Sequence, residues 1–222
     1  MTDSAEFKLD HFRAYDIDGV SVEITVALKG QFDKDYRKHR LISLDHFANP
    51  VDKNREGILN EHAHQTWYGI HPDDAEEPRR RVKLWNQFGD QTLEIKDAAA
   101  LIPPAEKIEP GSHFPSGQDH FKCYRVEEGK MIGRTVTLRD QFMRSTVRVL
   151  EPLLFGVPVS KQYKEIEPIY NEADHLTIYR LDAQDNHVRR PVHDQFDEYK
   201  LEILETALLA VPTRKLKWAE IH

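Results

Sequence analysis

The stretch "DHFKCYRVEEG", residues 119–129, contains a histidine and a tyrosine four residues apart, and this pair recurs along the chain. Similar phrases are "DHFRAYDIDG" at residues 10–19, "EHAHQTWY" at residues 61–68 and "DHLTIYRLDA" at residues 174–183. The four pairs are His11 and Tyr15, His64 and Tyr68, His120 and Tyr124, and His175 and Tyr179. A phrase that returns at this spacing is typical of a chain built from copies of one supersecondary unit.

Two further marks recur in the same order. A Gln-Phe pair begins at Gln31, Gln87, Gln141 and Gln195, and a Pro-x-x-Lys motif ends at Lys53, Lys107, Lys161 and Lys215. Successive lysines of this motif are 54 residues apart. Four units of about 54 residues therefore fill nearly the whole chain, and we number them one to four in the order of the repeated histidines, His11, His64, His120 and His175.

The units alternate in kind. Units one and three share "F-x-x-P-V-x-K", at residues 47–53 and 155–161, whereas units two and four share "LEI", at residues 93–95 and 201–203. Both motifs recur after 108 residues. The order A-B-A-B predicts a tandem duplication of a two-unit domain.

We place the boundary of the duplication in "KIEPGSHFPSGQ", residues 107–118, where Gly, Pro and Ser cluster. The predicted domains are residues 1–110, with units one and two, and residues 111–222, with units three and four. As an alternative, the two halves are fused into one pseudo-symmetric body.

Alternating apolar residues predict strands throughout the chain. In "TVTLRDQF", Val136 and Leu138 are two residues apart with polar neighbours, which is the pattern of a half-buried strand. Pro152 occupies the slot of Ala98 and Thr206, and proline destabilises a helix interior by about 3 kcal/mol. We therefore predict an all-β fold with about three strands per unit.

Such a sheet has to protect its edges. The A-B-A-B order favours a pseudo-twofold pair of small β-barrels or sandwiches. A four-bladed β-propeller with one unit per blade is the alternative.

The composition limits the kinds of partner. With 31 basic and 38 acidic residues the net charge is −7, whereas nucleic-acid-binding proteins usually carry a basic excess. No apolar run approaches the roughly 20 residues of a membrane span, and the first residues lack the apolar core of a signal peptide. We predict a cytoplasmic protein with no nucleic-acid or membrane partner, and its oligomeric state stays open.

The phrases "DHFKCYRV", "VTLRDQF" and "LLFGVPVSK" resemble an uncharacterised family of bacterial repeat domains that read roughly "DHFKCYKV…VxLxDQF…LLCxPVxK". The resemblance covers both halves of the chain and implies a repeat plan with no assigned activity or catalytic residues. Members are often secreted and tend to have cysteines in both "FKCY" and "LLC". This chain has only Cys123, so that no intrachain disulfide forms, which is consistent with a reducing compartment.

Residues repeated in every unit are expected to be structural. We expect each repeated histidine to hydrogen-bond within its own unit, with the preceding aspartate where one is present, as Asp10, Asp119 and Asp174 are. The repeated lysines are expected at solvated sheet edges. Convergence of the four histidines on a metal or ligand at a symmetry axis is the alternative.

Unit two departs from the repeat and is the predicted site. Ala63 replaces the aspartate, and His62 lies two residues before His64, which on a strand places both imidazoles on one face. Together with Tyr68, His62 and His64 are the candidate catalytic acid–base residues. His62 and His64 are also candidate ligands of a divalent metal, since neutral imidazole is a good metal ligand. Apart from this possible metal, no cofactor is expected.

Aromatic residues near these histidines suggest a ligand pocket. Trp67 and Trp85 both belong to unit two, and we add His120 and Tyr124 to them as candidate ligand-binding residues. The first hypothesis is a protein that binds a small molecule, and as an enzyme it would be a cofactor-free cyclase, isomerase or lyase. The alternatives are a non-catalytic protein-interaction module and a metal enzyme with histidine ligands.

Overall fold

A computed structural model describes residues 7–108, 111 and 113–221, and for residues 183–190 it describes only the backbone. The strands of this part of the chain are β1 (His11–Gly30), β2 (Arg37–Lys53), β3 (His64–Ile70), β4 (Arg80–Asn86), β5 (Gly89–Ile102), β6 (Pro104–Lys107), β7 (His120–Glu128), β8 (Arg134–Arg139), β9 (Arg144–Gln162), β10 (Ile166–Glu167), β11 (His175–Asp194) and β12 (Glu198–Glu220). A short 3-10 turn covers Pro72–Asp74. Within the described ranges, no helix has the length and apolarity needed to cross a membrane.

Eight of these strands form a closed ring in a single sheet. Each pairs antiparallel with its neighbour in the order β1, β2, β3, β5, β7, β9, β11 and β12. The ring closes where β12 pairs with β1, for example at Phe12 and Ala210. Closure leaves no unpaired edge along the ring, which is how an all-β protein avoids pairing with other chains.

The all-β prediction is confirmed, and the closure involves both halves of the chain. Strands β5 and β7 pair at Ile102 and Phe121, and with the β12–β1 pair they join residues 1–110 to residues 111–222 in one sheet. The sequence left a pair of small barrels and a propeller open. The observed ring is a single sheet because the edges of each half pair with the other half. The domain boundary itself stays a prediction.

The proline slots that define the duplication lie in like structure. Pro50 and Pro158 are both in long strands, β2 and β9, and Pro104 and Pro212 are in β6 and β12. This agreement is consistent with the predicted A-B-A-B duplication.

The outer hairpins fold across the ring and reach the unit two places along the chain. The start of β9 belongs to a hairpin with β8, and β8 pairs with the end of β2, at Asp52 and Arg139. The same kind of crossing joins β1 to β9, β11 to β6 and β12 to β4. A Gln-Phe mark lies at the tip of each of these hairpins, so that each crossing places one mark against the unit two places along the chain.

The Gln-Phe tips pack on the repeated tyrosines. Each phenylalanine contacts a tyrosine two units away, edge to face, with ring centroids 5.2–5.4 Å apart. The pairs are Tyr15 with Phe142, Tyr68 with Phe196, Tyr124 with Phe32, and Tyr179 with Phe88. Such a pair contributes about 0.5–1.5 kcal/mol beyond its buried area. The tyrosine of the His-Tyr pair and the phenylalanine of the Gln-Phe mark thus form one contact that recurs four times.

Candidate functional site

The residue before each Gln-Phe mark determines what the buried tyrosine hydroxyl bonds to. Tyr15 donates to Asp140 at 2.6 Å, and Tyr68 donates to Asp194. Burial followed by the nearby carboxylate raises the pKa of both phenols. These hydroxyls are donors inside the fold and are structural.

Tyr124 lacks this partner. The slot before its Gln-Phe tip holds Gly30, where a Cβ atom would come within 2.9 Å of Val159. The Tyr124 hydroxyl is buried and has no hydrogen-bond partner among the described residues. Asp33 of the same tip instead binds the buried Lys122 ammonium at 2.8 Å.

Two of the repeated histidines, His11 and His175, bind glutamines of other units. His175 Nε2 accepts from Gln31 Nε2 at 2.8 Å, and its Nδ1 atom donates to the carbonyl of Ala173 at 2.8 Å. His11 bonds to Gln87 in the same way. Burial lowers the pKa of His175 to about 4 and that of His11 to about 3.

The prediction that each histidine bonds within its own unit, with the preceding aspartate, is therefore wrong. Asp10 accepts from the backbone N–H groups of Leu59 and Asn60 at 2.7 and 2.9 Å. Asp119 does the same with the N–H groups of residues 170 and 171. The aspartates stabilise the turns between units, because unpaired backbone donors there would be costly.

His64 bonds to no tip glutamine within the described residues. The tip glutamine that would reach it, Gln141, donates instead to Asn49 Oδ1 at 2.7 Å and accepts from the Lys107 ammonium. The Nδ1 atom of His64 is buried and has no hydrogen-bond partner in the described part of the chain. Burial, with smaller effects of Lys107 and His62, lowers the pKa of His64 to about 3.

Asn49 explains why Gln141 is drawn away. It occupies the third position of "F-x-x-P-V-x-K", where unit three has Val157. Val157 is fully buried and offers no acceptor to the corresponding tip, so that Gln31 bonds to His175. Asn49 is equally buried but has an amide oxygen, which Gln141 uses.

An open cleft of about 460 Å³ lies in front of His64. We call it the histidine cleft, and its polar lining includes Asp52, Glu61, His62, His64, Lys107, Arg139 and Gln141. Cationic, anionic and amide groups thus face one volume large enough for a small molecule.

His62 reaches this cleft from a turn and not from a strand. The Ala63 N–H donates to the Asn60 carbonyl, the His62 N–H donates to Asn60 Oδ1, and β3 begins only at His64. The prediction that one strand holds His62 and His64 on the same face is therefore wrong, although both line the same cleft. The His62 ring also lies 4.1 Å from that of His113.

The other predicted site residues lie elsewhere. The Tyr68 hydroxyl bonds to Asp194, and Trp67 is buried in the core with its Nε1 atom donating to Gln65 at 3.3 Å. Trp85 stacks on Phe7.

The two candidates in unit three are also distant from the histidine cleft. His120 donates to Glu167 at 2.6 Å, and Tyr124 is buried in the largest core cluster. The structure thus brings His62 and His64 together at the cleft and none of the other five residues with them.

Three of the four repeated lysines are buried and not at solvated edges. Lys53, Lys107 and Lys161 are only 2, 2 and 0% exposed, so that the prediction is wrong for these three, whereas Lys215 is half-buried. Lys107 and Lys161 point their ammonium groups at the aromatic face of a tip phenylalanine and bond to the tip glutamine, contacts that sequence spacing does not reveal. In the part of the chain that the structure describes, no group of three or more His, Cys, Asp or Glu residues is placed to hold a metal ion.

Sequence reasoning missed Gln141 and Lys107, which line the cleft, and Asn49, which binds Gln141. The glutamine and the lysine are repeated, so that nothing marked these copies as different. Asn49 did carry a signal, because it breaks the match between units one and three at a buried position.

Comparison with protein families gives one result. Residues 64–212 match the model described as a repeat of unknown function (DUF7450), which confirms the resemblance to an uncharacterised repeat family. The comparisons with curated proteins and with solved structures found no match.

Proposed function

Since this chain belongs to the DUF7450 family of repeats, to which no activity is attached, we propose a function from its own site: it binds a small polar molecule in the histidine cleft. The observation that carries the proposal is the diversion of Gln141 to Asn49 and Lys107. It leaves His64 as a repeated histidine without its glutamine, at the wall of an open cleft of about 460 Å³. Glutamine bonds to the Nε2 atom of His175 and of His11, and a ligand with a hydrogen-bonding group takes the place of that glutamine at His64 Nε2.

The charges in the cleft support a polar ligand. Lys107 and Arg139 face the same volume as Asp52 and Glu61, and Gln141 adds an amide. Ligand sites fix orientation with a small number of well-placed polar groups of this kind. An exclusively apolar ligand would leave these groups desolvated without partners, which costs free energy.

The pKa of His64 supports binding over acid–base catalysis. A catalytic base works best with a pKa near the operating pH, whereas burial lowers the pKa of His64 to about 3. Its imidazole is neutral at pH 7 and suits hydrogen bonding to a ligand. The Tyr68 hydroxyl, the predicted second acid–base group, is committed to Asp194. For these reasons we propose a binding protein, with a cofactor-free enzyme as the weaker alternative.

We also propose that the protein acts in the cytoplasm. The support is Cys123, the one cysteine of the chain, which is buried as a free thiol. Extracellular repeat domains of this size commonly rely on disulfides, which this chain does not form within itself. Fractionation of cells that express the tagged protein would test this, and recovery outside the cytoplasm would contradict it.

Saturation-transfer NMR with a mixture of amino acids, sugars, organic acids and nucleotides tests the binding proposal. We expect at least one component to bind the parent protein. Asn49→Val should weaken that binding strongly, because Gln141 then lacks its acceptor and turns to His64, as Gln31 turns to His175. Gln31→Ala is the matched control, since it removes the equivalent contact in unit four and leaves the histidine cleft intact.

Two outcomes would overturn the proposal. One is that no component binds the parent. The other is that Asn49→Val binds with the parent's affinity while its fold is unchanged. The protein-interaction module would then be the better hypothesis.

A further inference from the structure

Beside the histidine cleft lies a second open cleft, of about 480 Å³, which we call the arginine cleft. It is lined by Asp52, Asn54, Arg55, Thr137, Arg139 and Arg144. The two clefts share Asp52 and Arg139, so that they are adjoining parts of one surface.

The arginine cleft contains two like charges on adjacent strands. Arg139 of β8 pairs directly with Arg144 of β9, and on its other side with Asp52 of β2. Side chains of directly opposed residues lie about 4.5–5.5 Å apart at Cβ, and like charges in such a pair destabilise a sheet. Within the described residues Asp52 forms no ion pair with either arginine, and its Oδ1 atom accepts from the Gly57 N–H at 3.0 Å.

The equivalent pairs in two other hairpins are different. His193 is opposed by Glu198 in unit four, and Trp85 by Asp90 in unit two. An acidic residue thus occupies the place where unit three has Arg144. In unit one the equivalent positions hold Lys29 and Lys34, so that a basic pair is shared by units one and three and absent from units two and four. Because units two and four form the same hairpin with an acidic residue at this place, the hairpin does not require two basic residues.

A third guanidinium reaches the cleft from the turn after β2. Asn54 and Arg55 have φ values of 53° and 69°, a left-handed conformation that is uncommon for residues other than glycine. Two hydrogen bonds fasten this turn to β8: Asn54 N–H to the Thr137 carbonyl at 2.8 Å, and Thr137 N–H to Asn54 Oδ1 at 2.9 Å. Backbone held in a sparsely populated conformation is often found at functional sites.

We propose that the arginine cleft binds a phosphate group of the small molecule in the histidine cleft, an inference that rests on the proposed function. Arg55, Arg139 and Arg144 carry three positive charges, and Asp52 carries one negative charge. The net charge of +2 matches a phosphate monoester dianion. Guanidinium groups bind phosphate by parallel hydrogen bonds, and none of the three arginines forms an ion pair within the described residues.

The shared residues set the position of such a ligand. Arg139 lies at the boundary of both clefts, so that a phosphate on it leaves the rest of the molecule next to His64 and Lys107. The ligand class is therefore a small phosphorylated molecule whose remaining part is polar. The chain as a whole is acidic, with a net charge of −7, so that overall charge does not attract anions to this surface.

Titration with inorganic phosphate tests this site on the whole chain, with sodium chloride of equal ionic strength as the reference. Binding is followed by backbone NMR shifts and by the rise in unfolding temperature that a ligand of the native state causes. Arg144→Glu should weaken phosphate binding by about tenfold or more, because it removes one cation and gives Arg139 an acidic partner. This variant should fold, since Glu198 already occupies the equivalent place in unit four.

Arg148→Glu is the matched control. Arg148 is exposed on the same face of β9, four residues further, and its replacement changes the net charge by the same amount outside the cleft. It should retain phosphate binding. Arg55→Gly, a variant that suits the left-handed φ, should weaken binding by about threefold or more without loss of stability.

Three results would overturn the inference: phosphate has no more effect than chloride, Arg144→Glu and Arg148→Glu weaken binding equally, or Arg55→Gly binds like the parent. Phosphate binding that depends on the arginines, without any ligand in the histidine cleft, would refute the proposed function alone. A ligand in the histidine cleft without phosphate binding would refute only this inference.

Discussion

Two regions of the molecule, the turn and strand around His64 in unit two and those around His175 in unit four, have the same local backbone structure. Their histidines differ in what they bond to. In both, an asparagine, Asn60 or Asn171, accepts the same pair of backbone N–H bonds before the strand begins. Both histidines lie against a phenylalanine of the preceding unit at 5.7 Å. Only His175 receives a glutamine, and the open cleft lies in front of His64.

The difference teaches that one buried side chain in a neighbouring unit can convert a structural position into a candidate binding site. Val157 leaves Gln31 no alternative to His175, whereas the amide of Asn49 competes successfully for Gln141. The change costs some stability, because Asn49 Nδ2 is buried and has no hydrogen-bond partner among the described residues. A cost kept at a buried position is consistent with a functional role for the cleft.

The largest effect on stability is expected for the tip residues that bond to the buried tyrosine hydroxyls of the two regions. Asp194 accepts hydrogen bonds from Tyr68, from Thr66 at 2.7 Å and from the Phe196 N–H at 2.8 Å. Asp194→Ala should cost about 3 kcal/mol of unfolding free energy or more, because buried donors lose a charged acceptor.

The matched change in the other region is Asn86→Ala. Asn86 donates to Tyr179 at 2.9 Å, and Gln91 also bonds to that hydroxyl, at 2.8 Å. We expect a cost of about half as much, since neutral hydrogen bonds are weaker and Gln91 remains. Urea denaturation measures both variants, and equal costs would contradict the assignment of Asp194 as the stronger acceptor.

The next largest effect is the loss of stability on replacing each histidine by alanine. His175→Ala should cost about 2 kcal/mol, because it removes two hydrogen bonds, with Gln31 and with the Ala173 carbonyl, which contribute about 1 kcal/mol each. His64→Ala should cost less than about 1 kcal/mol from hydrogen bonding, since its Nδ1 atom has no partner to lose. The same denaturation experiment decides, and an equal or larger loss for His64→Ala would show that His64 is held as firmly as His175.

Acid should destabilise the two regions over different ranges of pH. Burial lowers the folded-state pKa of His175 to about 4 and of His64 to about 3, below the unfolded value of 6.5. The unfolded chain therefore binds more protons, and each histidine removes stability as the pH falls from 6.5, by up to about 1.4 kcal/mol per pH unit. The contribution of His175 ends near pH 4, and that of His64 continues to about pH 3.

Histidine-to-glutamine variants isolate each contribution. His175→Gln should flatten the stability profile between pH 6.5 and 4, and His64→Gln should flatten it further into acid. Stability measured at closely spaced pH values provides the test. Variants with the parent's slope would mean that these imidazoles are protonated in the folded state.

The smallest effect on stability is expected for Asn49→Val. It removes the unpaired Nδ2 donor and restores the residue type of unit three, so that stability should be unchanged or rise by up to about 1 kcal/mol. Chemical denaturation against the parent measures it. A loss of more than 1 kcal/mol would mean that the bond from Gln141 to Asn49 stabilises the fold and is not in exchange with His64.

Much of the fold is predictable from the sequence, because the repeat marks are packing marks. Tyr68 and Phe196 were visible as repeated residues, and alternation placed their segments on strands. Their mutual contact was not predictable, since nothing in the spacing says that a tip crosses to the unit two places along. The same limit explains the buried lysines, whose partners lie in other units.

The site was predictable only in part. Broken symmetry singled out His62 and His64, which line one cleft. It also singled out Trp67, whose departure from the repeat is explained by core packing. Whether a residue that differs from the repeat lines a cleft or fills the core depends on which side chains pack against it in the folded protein.

The central claim is that Asn49 keeps Gln141 away from His64, and NMR of the histidine ring nitrogens tests it most directly. Long-range proton–nitrogen spectra of the parent and of Asn49→Val would be compared at pH 7. In Asn49→Val the Nε2 signal of His64 should shift toward that of a hydrogen-bonded acceptor such as His175, whose own signals should stay in place. An unchanged His64 signal in a folded Asn49→Val protein would contradict it.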